Sequence, residues 1–182
     1  LLSTLAGGDR RDPLSGDCDN HDFTQNLATD LKGTRIGWLA DLDGYLPMES
    51  GILALCEKAL KAFVSLGCEV ESTRIDFSQD ELWLAWIRLR QWQVSGGMKP
   101  FYENPETRKL LKPEAIWEHE SGVQLSGDDV YVASDTQTRW YLTLLSMFER
   151  YDYLALPTAQ VFPFDARIHW PKQIAGVEME DR

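Results

Sequence analysis

Two aspartates placed two residues apart are the first feature of the sequence that suggests chemistry. The segment RIGWLADLDGYLP, residues 35–47, is a short apolar run that ends in Asp41-Leu42-Asp43-Gly44. Side chains two residues apart at the end of a strand point to the same face. Such a pair of carboxylates suits a reaction in which Asp41 attacks phosphorus and Asp43 transfers a proton.

The other groups that a magnesium-dependent phosphatase needs can be found in the sequence, and the set resembles the haloacid dehalogenase family. That chemistry requires a hydroxyl, a cation and a further carboxylate for Mg²⁺, which offsets carboxylate repulsion and bridges to phosphate. The candidates are Ser72 or Thr73 for the hydroxyl, Lys99 for the cation, and Asp128 or Asp129 for the metal.

The same aspartates also fit a structural role, in which Asp41 and Asp43 only end a strand and form a turn. Tyr45 stands where the phosphatase family usually has Thr or Val. Asp128 and Asp129 follow a loop and look like the acidic first turn of a helix. The residues alone therefore favour the structural role and leave the phosphatase hypothesis open.

Other catalytic and metal-binding patterns are weak or absent from the sequence. His21, His119 and His169 are scattered without an HExxH, and a surface position is the simplest interpretation of each. There is no GxSxG nucleophile motif and no GxGxxG after the first strand. The tryptophan-rich segment 82–92 could line a hydrophobic pocket, although core packing is the simpler explanation.

Charge and cysteine content narrow the class of protein. The net charge is −11 and no basic cluster is visible, which argues against nucleic-acid binding. Cys18, Cys56 and Cys68 are odd in number and lack metal-ligand spacing, so they fit a reducing compartment, and we expect a cytoplasmic protein. No apolar run approaches the roughly 20 residues of a membrane span, so no membrane partner is expected.

The apolar pattern predicts an α/β fold with a partly parallel sheet flanked by helices. Residues 34–40 form a predicted strand, residues 49–66 an amphipathic helix that stops at Gly67, and a second strand begins at Cys68. Strand, helix and strand at this spacing make a βαβ unit, in which the strands are parallel.

The pattern after residue 78 predicts helices, one strand and an irregular end. A helix over 79–95 is expected to break at SGGMKP, and the longest helix is predicted over 128–150. The whole chain is predicted to be a single piece of one domain. Its segments are a turn-rich entry at 1–31, the βαβ unit at 32–77, a helical region at 78–150, a strand at 151–159 and an irregular tail at 160–182.

Four segments, in order along residues 3–159, resemble blocks of the amidase signature family. The first two are STLAGGDRRDPLS, similar to that family's AGxDxRDP, and DLKGTRIGWLADLDGYLP, similar to its LKGLRIGVPRDYFG. The others are LGCEVE, similar to LGAEVVEV, and ERYDYLALPTA, similar to F..YD.LLTPT after a long helix that carries Arg139. Because DLDG stands where the family has RDYFG, this resemblance makes it a strand-to-helix loop.

The resemblance implies an amide-hydrolysing enzyme with an α/β sandwich around a large mixed sheet, of which this chain would be an incomplete piece. The family uses a Ser nucleophile, a cis-Ser relay and a Lys base, with backbone N–H groups as the oxyanion hole and no metal or cofactor. Its Gly/Ser-rich signature segment precedes AGxDxRDP and is not in this sequence. No catalytic residue is therefore assigned, and we expect the chain to be inactive alone.

Substrate-binding candidates come from the expectation that sites in parallel sheets gather at strand carboxyl ends. They are Asp41, Tyr45, Trp86 and Thr158. The expected partners are a small-molecule amide in the intact protein and further copies of the chain, because a piece would expose sheet edges and core surface. A non-catalytic binding or assembly module is the remaining alternative.

Overall fold

The computed structural model describes residues 6, 8, 9, 11, 23–25 and 27–179, and the chain divides into two compact units, residues 1–32 and 33–182. In the first unit Arg11 donates hydrogen bonds to Asp9, and these bonds lower the pKa of the Asp9 carboxyl. Most of the predicted turn-rich entry at 1–31 lies outside the described residues. The assignment of the chain to one domain piece stays a prediction.

A three-stranded parallel sheet is the framework of the second unit. Its central strand β1 pairs on both sides, so that Ile36 lies opposite Val70 in β2 and Tyr153 in β3. Helix α1 (Ile52–Ser65) connects β1 to β2, as the βαβ prediction requires. The strands are β1 (Arg35–Trp38), β2 (Glu69–Ser72) and β3 (Tyr153–Ala155).

Four helices lie between β2 and β3, and the longest of them packs against two others. Helix α2 begins at an N-cap serine, Ser78, whose hydroxyl oxygen accepts from the Glu81 N–H at 3.3 Å. It packs against α4 and α5. None of the helices in the described part of the chain combines the length and apolar character that a membrane span requires. The four are α2 (Gln79–Glu103), α3 (Pro105–Arg108), α4 (Pro113–Gly122) and α5 (Gly127–Phe148).

Helix α2 continues through SGGMKP, so the predicted break there is wrong. Ser95 is buried in the contact with Gly122 of α4, where an added Cβ would lie 2.6 Å from the Ser95 Cβ and 2.2 Å from the Gln91 carbonyl oxygen. This close contact keeps the segment helical and overrides the low helix propensity of its two glycines. As a result α2, with 25 residues, is longer than α5, with 22, contrary to the prediction.

The tail contains a small hairpin that the sequence pattern did not predict. Strands β4 (Gln173–Ile174) and β5 (Val177–Glu178) pair antiparallel across a turn at Ala175 and Gly176, which have φ values of 49° and 85°. Positive φ at both central residues is typical of the turns that close two-residue hairpins. Strands of two residues are too short to show alternation, which explains why the pattern gave no signal.

The core of the second unit lies where the end of α5 meets the sheet. Leu39, Met147 and Tyr151 are buried against each other. Gly37 faces the same side, and a Cβ there would lie 2.9 Å from the Leu154 side chain. Close packing of this kind fixes the position of β1 and therefore of the loop that follows it.

Candidate functional site

The carboxyl ends of β1, β2 and β3 lie at one edge of the sheet because the three strands are parallel. The loops that follow them, residues 39–46, 73–78 and 156–160, therefore start at the same edge. Ligand sites in parallel sheets form at this edge. We refer to it as the strand-end region.

The loop after β1 is a tightly turned segment in which Asp41 has a structural role. Three non-glycine residues, Ala40, Leu42 and Asp43, have positive φ values of 47°, 57° and 60°. The Asp41 carboxylate accepts from the Gly44 N–H at 3.0 Å. This bond stabilises the turn, as the structural interpretation of DLDG predicts.

A polar cleft of about 500 Å³ opens beside the strand-end region, where the segment after β2 meets α2 and α5. Arg139 of α5 donates to Glu81 at 3.0 Å and to Asp135 at 3.2 Å, and the bond to Glu81 is the main cause of the raised pKa of Arg139. The cleft thus contains a guanidinium that carboxylates hold in place. Its polar lining residues are Asp43, Arg74, Asp76, Ser78, Glu81 and Arg139.

An aromatic pocket of about 260 Å³ lies between α2 and α4. The rings of Trp83 and Trp86 stack at 5.0 Å with an interplanar angle of 16°, and Trp117 of α4 also lines the pocket. Arg90 lies 5.4 Å above the Trp86 ring and donates to Glu118 at 2.9 Å. Glu118 is only 5% exposed, and the guanidinium of Arg90 compensates its buried charge. The pocket offers flat apolar walls and one ion pair, which suits a planar aromatic group.

The four predicted substrate-binding residues lie in two different places. Asp41 and Tyr45 belong to the loop after β1, and Thr158 follows β3 and is exposed. Trp86 lines the aromatic pocket, about 12 Å along α2 from Ser78 at the rise of an α-helix. The structure therefore brings three candidates to the strand-end region and puts Trp86 in a neighbouring pocket.

Several charged residues of these sites were not predicted from the sequence, and Arg74 and Glu118 show two different reasons for this. Arg74 lines the polar cleft and follows directly on β2, so the rule of strand carboxyl ends could have identified it. Glu118 is buried in the aromatic pocket although carboxylates are rarely buried, and only its partner on another helix explains this.

His119 is buried, so the predicted surface position is wrong for this histidine. Its Nδ1–H donates to the Ser95 carbonyl oxygen, 24 residues away in sequence, at 3.0 Å, and its ring lies 4.2 Å from that of Tyr102. A hydrogen bond from the Tyr102 hydroxyl to Glu120 raises the pKa of that tyrosine. His119 is a packed core residue of the contact between α2 and α4. His169 is exposed, as predicted, and His21 lies outside the described residues.

The groups of the phosphatase hypothesis are not gathered in one place. Lys99 lies about 30 Å along α2 from Ser78, and it is paired with Glu103. Asp129 forms a capping box with Ser126 at the start of α5, which lowers the pKa of the Asp129 carboxyl. Among the described residues, no three His, Cys, Asp or Glu side chains come together as a metal-ligand set.

Comparison with known proteins gives relatives in one group. No family model matches the chain. The chain is 26% identical to an acylamidase from Rhodococcus erythropolis over 192 residues, which takes in all of this chain and 38% of that protein. A stretch of 70 residues is 37% identical to a component of the glutamyl-tRNA(Gln) amidotransferase from Caldanaerobacter subterraneus subsp. tengcongensis, covering 38% of this chain and 14% of that protein. The chain thus spans little more than a third of the length of the first of these relatives.

Solved structures agree with the sequence relatives. A bacterial aryl acylamidase described as belonging to the amidase signature enzymes is similar over 96% of this chain and 37% of its own, with a TM-score of 0.80 and 26% identity. The crystal structure of an amidase has a similar fold over 73% of this chain and 30% of its own, with a TM-score of 0.60 and 17% identity. The α/β prediction is confirmed, whereas neither the phosphatase nor the non-catalytic module receives support. Sequence and fold agree that this chain is similar to the amidase signature family, as its four sequence blocks predicted.

Proposed function

We propose that this chain is a non-catalytic portion of an amidase of the amidase signature type, an enzyme that hydrolyses carboxylic amide C–N bonds. The observation that carries the proposal is the similarity to the aryl acylamidase structure over 96% of the chain at a TM-score of 0.80. The Ser–cis-Ser–Lys groups would come from another part of the polypeptide, and no metal or cofactor is required. The protein would act in the cytoplasm, in keeping with an odd number of cysteines that lack metal-ligand spacing.

In this proposal the chain contributes substrate contacts. Asp41, Tyr45 and Thr158 lie in the strand-end region, where parallel sheets bind ligands. Trp86 would contact an aryl group of the substrate, because the stacked pair Trp83–Trp86 forms a flat apolar wall. Amides of small aromatic acids or amines are the substrate class that fits such a wall.

The first test is to sequence the reading frame upstream of the codon for Leu1. We expect a lysine codon followed by a Gly/Ser-rich stretch with two spaced serines. The product of the complete frame should hydrolyse an aryl amide such as 4-nitroacetanilide. The 182-residue chain should show none, since losing a whole catalytic unit costs on the order of 10⁶ in turnover. A start codon directly before Leu1, or turnover by the chain that a serine substitution within it abolishes, would overturn the proposal.

The substrate contacts are tested in the product of the complete frame. Trp86→Ala should raise KM for aryl amides by about 3- to 10-fold, the range expected for one aromatic contact, and leave KM for acetamide unchanged. Trp92→Ala is the matched control, because Trp92 is exposed on the same helix and does not line the aromatic pocket. Tyr45→Ala and Thr158→Ala should change KM or kcat for both amides. Unchanged kinetics would remove a residue from the site.

Self-association of the isolated chain also follows from this proposal. In the described part of the chain the sheet has three strands, so β2 and β3 each have an open edge there, and apolar side chains are exposed on several helices. Such edges and surfaces pair with other copies when nothing covers them. A concentration-independent monomer in light scattering would contradict this expectation.

A further inference from the structure

The carboxyl-terminal half of α5 is mostly apolar. Residues 140–148 read WYLTLLSMF, in which the polar groups are the hydroxyls of Tyr141, Thr143 and Ser146. Met147 is buried in the core, and Trp140 packs edge-to-face on Phe77 at 5.4 Å. An apolar helix surface is normally buried against a neighbouring element.

The opposite side of this segment is uncovered. We call it the outer stripe of α5, and its side chains are between 45% and 59% exposed. They recur at helical spacing, so they form one continuous apolar strip along the helix. The outer stripe consists of Tyr141, Leu142, Leu145 and Phe148.

The hydroxyls of Thr143 and Ser146 do not require water. The Thr143 hydroxyl donates to the Arg139 carbonyl oxygen at 3.1 Å, and the Ser146 hydroxyl donates to the Thr143 carbonyl oxygen at 2.8 Å. Hydroxyls in helices bond back to the preceding turn in this way when no outside partner is needed. A protein surface could therefore cover the outer stripe without leaving the hydrogen-bonding capacity of either hydroxyl unsatisfied.

We propose that the outer stripe of α5 is the surface on which the catalytic portion of the amidase packs. The inference rests on the proposed function and adds the place of contact. This chain covers only 37% of the matched acylamidase structure, so the larger part of that protein is available to supply an apolar partner surface. The satisfied hydroxyls and the continuous apolar strip suit a permanent contact and not a solvent-exposed helix face.

A second copy of the chain is a poorer occupant. Two copies would bring together net charges of −11 each, which repel. Self-association of the isolated chain is then the consequence of an uncovered surface and not a specific dimer.

The test compares thiol accessibility in the isolated chain and in the product of the complete frame. Cys18, Cys56 and Cys68 are first replaced by serine or alanine, together with any cysteine of the added portion, and single cysteines are introduced by Leu145→Cys or, independently, Tyr141→Cys. Lys61→Cys, on the exposed face of α1, is the matched control. The rate of reaction with 5,5′-dithiobis(2-nitrobenzoate) is measured at low protein concentration, and aryl amide hydrolysis is assayed on the same samples.

We expect both outer-stripe thiols to react at least about tenfold more slowly in the complete product than in the chain, because a packed surface must open before it reacts. The control should react equally in both. An active complete product whose outer-stripe thiols react as fast as in the chain would overturn this inference and leave the proposed function standing. Slow reaction in a complete product that hydrolyses no amide would support the contact and count against the proposed function. Slow reaction in the isolated chain that depends on its concentration would identify a second copy as the occupant and overturn the proposal.

Discussion

Strand β1 and helix α5 meet where Leu39, the residue directly after β1, packs against Met147, yet the chain surrounds the strand and the helix to different degrees. Ile36 and Trp38 are only 5% and 6% exposed, and Gly37 on the other face has no room for a Cβ. The strand is thus covered on both faces, whereas α5 is covered on one and exposes its outer stripe. The chain therefore covers its central strand on both faces, but it covers only one side of the helix that packs on that strand.

The largest effect is expected from Gly122→Ala, which attacks the contact between α2 and α4. The new Cβ would lie 2.2 Å from a backbone carbonyl oxygen of Gln91, so a helix must move. We expect the free energy of unfolding to fall by about 3 kcal/mol or more, at the upper end of overpacking costs. Urea unfolding followed by circular dichroism measures it, and a wild-type midpoint would show that the two helices are less tightly joined than described.

Met147→Ala and Leu145→Ala compare how much the covered and the uncovered side of α5 contribute to stability. Met147→Ala should lower the free energy of unfolding of the isolated chain by about 2–4 kcal/mol, because it removes buried methylenes. Leu145→Ala, on the outer stripe, should change it by less than about 0.5 kcal/mol. Equal losses in the isolated chain would remove the difference between the covered and uncovered sides. In the product of the complete frame the two losses should become similar.

Gly37→Ala tests how completely β1 is enclosed. The added methyl would lie 2.9 Å from the side chains of Leu154 and Thr73 and 3.1 Å from that of Tyr151. Side-chain ends can shift more easily than backbone, so we expect a loss of about 1–3 kcal/mol, smaller than for Gly122→Ala. Thermal unfolding would measure it, and a stabilised variant would mean that the face of β1 has space to spare.

Gly96→Ala should act in the opposite direction. Apart from its chain neighbours and the backbone of its own helix, no atom lies within 4 Å of the Cβ position, and the residue is inside α2. Replacing an unhindered helical glycine by alanine should raise the free energy of unfolding by about 0.5–1 kcal/mol. The same urea experiment applies, with Gly97→Ala as an independent repeat of the substitution. Destabilisation by both would indicate that SGGMKP breaks the helix in solution.

The smallest effect is expected from Asp152→Asn, which tests how β1 is joined to β3. The Arg35 N–H donates to the Asp152 carboxylate at 2.8 Å, and this bond is the main cause of the lowered pKa of Asp152. Because the folded pKa is lower than the unfolded value of about 3.9, the carboxylate stabilises the fold fully above that value, and this contribution is lost as the pH falls through the folded pKa.

The asparagine variant keeps an acceptor oxygen but no charge, so it should be slightly less stable than the wild type at about pH 7, and the difference should be smaller at about pH 2. Unfolding by urea at the two pH values measures both differences. Asp80→Asn, at an exposed carboxylate in the first turn of α2, corrects for the general effect of removing one negative charge. A gap between variant and wild type that stays constant over this pH range would contradict the assignment.

How far the fold and the site could be predicted depends on the range of the interactions involved. The βαβ unit was predictable because Gly67, the helical period of α1 and the apolar run of β1 are local signals that agree. The continuity of α2 was not predictable, since it depends on the packing of Gln91 in α2 against Gly122, a residue of another helix. The burial of His119 depends in the same way on a carbonyl group 24 residues distant.

The same distinction between local and long-range interactions applies to the candidate site. The turn role of Asp41 follows from its neighbour Gly44 and was predictable. The aromatic pocket needs Trp117 and Glu118 from α4 beside Trp86 of α2, and no local pattern links these segments. Sequence therefore identified single residues of each site, whereas the residues that line the site beside them follow only from the tertiary contacts.

The hydrogen bond between Arg35 and Asp152 also shows that β1 can pair with β3 only late in the synthesis of the chain. The two residues are 117 positions apart, and β1 cannot pair with β3 until the whole helical region has been translated. At about 5–20 residues per second this interval lasts about 6–23 s. During this interval the edge of β1 that later pairs with β3 is unpaired in the nascent chain. The nascent chain is therefore most exposed to mispairing at the element that is best protected once folding is complete.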